Sequence, residues 1–88
     1  MKSAYEKAME RLNKEAPRRS LTDAEKAEIA EIDNQAEARL AETRLAFDAK
    51  LAGANPMEAY ELQQELQHEL ARIEEKRESD KDAIWNRA

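Results

Sequence analysis

A single glycine, Gly53, opens the run Gly53-Ala54-Asn55-Pro56-Met57-Glu58, and the stretches on either side, 23–52 and 57–87, contain no other glycine or proline. A glycine can end a helix in a left-handed residue. Asn55 can cap the next helix, with Pro56 at its first position and Glu58 at its third. The chain is therefore expected to double back here, so that residues 23–52 and 56–87 form a long antiparallel helical hairpin, coiled-coil-like in its packing. With 88 residues, of which 40% are charged and 5% aromatic, the chain is read as one all-α domain spanning 1–88.

Each arm carries its own helical signals. Thr22 and Glu25 are spaced as a capping box, with Asp23 adding charge that suits the first turn of a helix. Beyond them Ile29, Ile32, Ala36, Leu40, Thr43, Phe47 and Leu51 recur on one stripe. On the opposite side lie Ala24, Ala27, Ala38, Ala41, Leu45, Ala49 and Ala52, which helix propensity alone explains or which would admit the close approach of another helix. In the last arm Ala59, Leu62, Leu66, Leu70 and Ile73 continue the pattern, which Arg77 and Asp80 interrupt before Ile84 resumes it. Folding about the turn sets Phe47 against Leu62, Leu40 against Leu70 and Ala36 against Ile73. Ile29 and Ile32 are left facing Asp80 and Arg77.

A shorter helix is expected over residues 3–15, with Tyr5, Ala8, Met9 and Leu12 at helical spacing and Pro17 as its stop. Alone it would be marginal in water, so it must dock. The expectation is that Met9 and Leu12 cover Ile29, with Tyr5, Ile84 and Trp85 closing the cluster, either within one chain or exchanged with a second copy.

Burial capacity is small, because 17 of the apolar residues are alanine and valine is absent. Ordering costs about 1.5 kcal/mol per residue and each buried large apolar side chain returns roughly 1.5–3 kcal/mol, so a lone hairpin sits near balance. A homo-oligomer is expected, a dimer by preference, with another helical protein as the alternative partner.

A net charge of −5 with acids and bases interleaved lacks the concentrated basic face that phosphate backbones require, so no nucleic-acid binding is expected. The cluster Lys14, Arg18 and Arg19 flanks Pro17 and suits the end of the first helix. No apolar run approaches the ~20 residues of a membrane span, and the N-terminus lacks the apolar core of a signal peptide. The expected location is the cytoplasm, without membrane association.

Few residues suggest chemistry. Glu65-Leu66-Gln67-His68 is a Glu-x-x-His on a helix, which ferritin-like bundles combine with further carboxylates to hold iron. Both side chains are expected to point out of the seam, with Arg44 and Ala41 opposite them, so Glu65 and His68 are metal candidates and no metal site is expected. Catalysis lacks parts: there is no cysteine, His68 has no matching nucleophile, and one glycine cannot build a phosphate loop. No catalytic residue, no cofactor and no enzymatic activity are expected. Most charges read as pairs along a helix, for example Glu74 and Glu78 with Lys81. Four residues are singled out for interaction: Arg77 and Asp80, polar on an apolar stripe, as a register device or recognition notch, and Tyr60 and Trp85, off the stripe, as interface aromatics.

The run Lys2-Ser3-Ala4-Tyr5-Glu6-Lys7-Ala8-Met9-Glu10-Arg11-Leu12, followed by Leu21-Thr22-Asp23-Ala24-Glu25-Lys26, resembles a family of small uncharacterised bacterial helical-hairpin proteins, which implies a helical cytoplasmic protein. Residues 51–66 are also similar to the UVR hairpin, a protein-interaction motif of nucleotide-excision repair and related regulators. Glu58, Ala59, Leu62 and Leu66 match its spacing, while Gln63 and Gln64 stand where it carries Arg-Asp. That likeness implies a regulatory hairpin that binds a larger protein. From the residues themselves, the expected function is a non-enzymatic interaction or assembly module.

Overall fold

A computed structural model describes residues 3–7 and 20–87. Helix α1 is described over residues 4–7, α2 spans Asp23–Ala52 and α3 spans Pro56–Trp85. The two long helices pack against each other, and the described residues contain no strand. The fold is the all-α hairpin that the periodicity predicts.

Helix starts follow the sequence closely. The Ser3 hydroxyl accepts from the Glu6 amide at 3.1 Å, which makes Ser3 the cap of α1. At α2 the capping box closes: the Thr22 hydroxyl accepts from the Glu25 amide at 3.1 Å, and Glu25 Oε1 accepts from the Thr22 amide at 3.0 Å. The amides of Thr22 and Glu25 are thereby satisfied, and Glu25 is held 9% exposed. At α3 the Asn55 side chain accepts from the Glu58 amide at 2.9 Å and donates to Glu58 Oε1 at 3.0 Å. With Pro56 at the first position, this helix can start nowhere else. Asn55→Ala is expected to cost about 1 kcal/mol, read as a lower midpoint in urea with an unchanged slope.

Two ends differ from expectation. Helix α3 stops at Trp85, with Asn86 as its cap, two residues short of 87. Gly53 is not left-handed: its φ is −104° and ψ 5°, and no described residue has positive φ. The reason is how α2 ends. The Gly53 amide donates to the Lys50 carbonyl at 3.3 Å and the Ala54 amide to Leu51 at 3.2 Å, a tightened last turn that satisfies these carbonyls without a left-handed residue. A Cβ at Gly53 would meet nothing within 4 Å. Gly53→Ala is thus expected to leave the hairpin intact and to stabilise it by about 0.4–1 kcal/mol through a less flexible unfolded chain, measured by thermal melting followed by circular dichroism.

Ala36, Leu40, Phe47 and Ile84 are the buried apolar residues among those described. Lys50 Nζ lies over the Phe47 ring, 4.9 Å from its centre. Toward the open end Ile84 re-enters the seam beside Ile32, so Ile32 has an apolar neighbour on α3 as well as Arg77 and Asp80. Tyr5 is 73% exposed and does not close that cluster; a four-residue helical segment cannot direct a side chain onto the seam unless the chain beyond it does so. Met9 and Leu12, expected to cover Ile29, lie outside the described residues, as do Lys14, Arg18 and Arg19.

Candidate functional site

The α3 stripe carries the hairpin's main unsatisfied demand. Leu62, Leu66, Leu70 and Ile73 point toward α2, yet every one stays half-buried. On α2, Ile29, Ile32 and Leu51 are half-buried too. Two helices in contact can enclose only the centre line of their seam, and apolar side chains on its shoulders keep contact with water. No described side chain is fully enclosed.

The two flanks of the seam are built differently. One is closed by ion pairs in the open half of the hairpin. Arg77 Nη2 donates to Glu37 Oε1 at 2.5 Å, and its Nε lies 3.6 Å from Glu74 and 3.8 Å from Asp33. Lys81 Nζ meets Asp33 Oδ1 at 3.2 Å, and beyond this flank Arg87 Nη1 meets Glu28 Oε2 at 2.6 Å across the open end of the hairpin. Across the seam every acid belongs to α2, and the bases belong to α3 or, for Arg87, lie just past its end. Arg77 is the central member, with its side chain 15% exposed and its Nε buried beyond hydrogen-bond distance of any acceptor. The hydrogen bond to Glu37, reinforced by the Glu74, Glu37 and Asp33 charges and opposed by burial, holds its guanidinium above the ordinary arginine value. Its charge is therefore present at every ordinary pH and is lost only as pH rises through that elevated value.

Along the other flank runs a continuous groove. Glu28, Ile32, Asp80, Ile84 and Arg87 line its open end. Ile32, Ala36, Arg39, Ile73 and Lys76 continue it, with Arg77 reaching it from the ion-paired side, followed by Thr43, Glu69 and Arg72, and then by Phe47, Lys50, Glu65 and His68 toward the turn. Asp33, Glu37 and Lys81 line none of it.

Of the residues singled out from sequence, Arg77 acts across the seam. Asp80 pairs instead with Lys76 on its own helix at 2.9 Å. Tyr60 is 66% exposed near the start of α3, and Trp85 is half-buried at its end. The structure does not bring these four into one surface. Glu65 and His68 are both exposed at the groove edge, as their position off the stripe implies. The residues facing them are Thr43, Ala46 and Lys50, not Arg44 and Ala41. Arg44 and Ala41 are exposed and do not line this part of the groove. Among the described residues no three His, Cys, Asp or Glu side chains gather as a metal site, and no helix is long and apolar enough to cross a membrane. Lys81 departs from the expected pairing along one helix by crossing to Asp33, whereas Glu74 keeps an along-helix partner, Arg77, three residues on.

The ion-pair ladder was missed by sequence reasoning. Its signal was available: Glu28, Asp33 and Glu37 flank one stripe while Arg77, Lys81 and Arg87 flank the other, a complementarity that shows once the arms are aligned. Fold and site together define an antiparallel helical hairpin with one stapled flank and one grooved flank. No protein-family model, no curated protein and no solved structure matches the chain.

Proposed function

We propose that this chain is a non-enzymatic assembly module that completes its core by pairing with a second copy of itself. The observation that supports this is the row Leu62, Leu66, Leu70 and Ile73, half-exposed at every position although it forms the apolar face of α3. The enclosed apolar set, Ala36, Leu40, Phe47 and Ile84, is small against the entropy of ordering helices of 30 residues each. Covering the shoulders of the seam by another helical pair supplies the missing burial, as in four-helix bundles. The scattered charges keep the outer faces soluble.

Sedimentation velocity at micromolar concentration tests the proposal. A dimer is expected, with a melting temperature that rises with protein concentration because association stabilises the folded state by mass action. A monomer with a concentration-independent melting temperature would overturn it.

A further inference from the structure

We infer that Pro56 is a lock that holds this chain as a closed hairpin, against an open form in which residues 23–85 run as one helix and two copies exchange their α3 arms. The sequence carries a repeat that the closed form does not need. Ile29, Leu40, Leu51, Leu62, Ile73 and Ile84 follow one another at intervals of 11 residues, straight through the reversal between Leu51 and Leu62. Such an interval makes about three turns, so on a continuous, slightly underwound helix all six share one face. In a hairpin the loop sets the rotation of α3, and nothing requires its stripe to stay in phase with that of α2. All six are buried or half-buried in the closed form.

The reversal itself departs little from a helix. Gly53 has φ −104° and ψ 5°, no described residue has positive φ, and the Gly53 and Ala54 amides still bond back to Lys50 and Leu51. The chain leaves the helix at Asn55, whose ψ of 170° is extended, and the Ala59 amide, bonded to the Asn55 carbonyl, resumes the ladder. Pro56 enforces this break. It has no amide to donate to Ala52, its ring would collide with that carbonyl, and it disfavours the helical conformation at Asn55. Gly53 weakens a helix without forbidding one, so Pro56 is the residue that a continuous helix cannot accommodate. In the open form the seam is rebuilt unchanged: α2 of one copy packs on α3 of the other, and the Arg77 to Glu37 and Lys81 to Asp33 bridges form between chains. This exchange does not rest on the pairing of closed hairpins proposed above.

The chain has no cysteine, so Ala30→Cys/Ser79→Cys places two spin labels at exposed positions in the open half, one on each arm. Labelled chain diluted into unlabelled chain reports the distance within one molecule by dipolar electron spin resonance. In the closed form the labels sit on neighbouring helices whose axes lie about 8–10 Å apart. In the open form the helix between positions 30 and 79 separates them by about 70 Å. The parent turn is expected to give only the short distance. Asn55→Ala/Pro56→Ala is expected to give the long one at high micromolar concentration, with helicity retained by circular dichroism and the mass of a dimer by sedimentation. Two alanines inserted after Ala54 of that variant rotate the α3 stripe by about 200° on a continuous helix, so the long distance is expected to be lost. A short distance in Asn55→Ala/Pro56→Ala would overturn the lock, and so would a long distance in the parent. A long distance that survives the insertion would overturn the shared phase as the basis of exchange. Because the distance is read within one chain, these outcomes are separate from whether closed hairpins pair.

Discussion

Leu40→Ala is expected to unfold most of the protein at 37 °C. Leu40 is the most enclosed of the buried apolar residues, 3% exposed at the centre of α2. Large-to-small changes at such sites cost about 2–5 kcal/mol, the lost transfer energy plus the residual cavity. In a domain with four buried apolar residues among those described, that sum approaches the whole stability, which for small domains lies at the lower end of roughly 5–15 kcal/mol. Leu45→Ala is the control. Leu45 is an exposed leucine on the back of the same helix, so its loss removes little burial and replaces it with a better helix former. Urea titrations of the pair should separate by well over 1 kcal/mol; equal midpoints would show that the α2 seam is not where this protein is held together.

Arg77→Ala carries the second large effect. Removing the guanidinium leaves Glu37 and Glu74 without their shared cation and Asp33 with Lys81 alone, so the variant loses an ion pair and gains mutual repulsion. Its melting temperature is expected to fall by several degrees, clearly further than that of Arg72→Ala, whose exposed pair with Glu69 lies along one helix. The charge origin has its own signature. Adding Glu37→Gln to Arg77→Ala should recover part of the loss, and 1 M salt should narrow the gap between variant and parent by screening the stranded carboxylates. Arg77→Lys should fall between, since an ammonium keeps the charge and gives up the planar fork that reaches Glu37 while facing Asp33 and Glu74. A variant as stable as the parent at low salt would show that the ladder contributes nothing to register.

The two arms and their starts were legible from short-range rules. Thr22 with Glu25, and Asn55 with Pro56 and Glu58, are signals confined to four consecutive residues. They settle within one turn, whatever the rest of the chain does, and the bounds of α2 fell where they predict. The glycine at the reversal was legible as a stop, but its conformation was not. Whether a helix ends through a left-handed residue or by tightening its last turn depends on how the following chain must leave, and Gly53 takes the second route.

The seam was half legible. Helical spacing identifies which residues of each arm form its stripe, because that is a property of one helix. It leaves open the axial offset between two helices, which follows from side chains of both arms interdigitating. Pairing by residue number put Arg44 and Ala41 opposite Glu65 and His68, whereas the α2 residues that share a groove wall with them are Thr43, Ala46 and Lys50. Lys81 likewise reads as an along-helix partner from spacing alone, whereas its carboxylate, Asp33, is on the other arm.

What the amino-acid order by itself determined is that this protein is helical, where α2 and α3 begin, that it turns back at residues 53–55, and that its apolar supply is thin; all of these rest on contacts between residues close in the chain or on composition. Only the tertiary structure decided that Arg77 bridges to Glu37, that one flank is stapled while the other stays grooved, and that the α3 leucines remain half-exposed. Those outcomes depend on the offset and rotation of one helix against the other, and both are set by packing between residues some 40 to 60 positions apart, which no local pattern encodes.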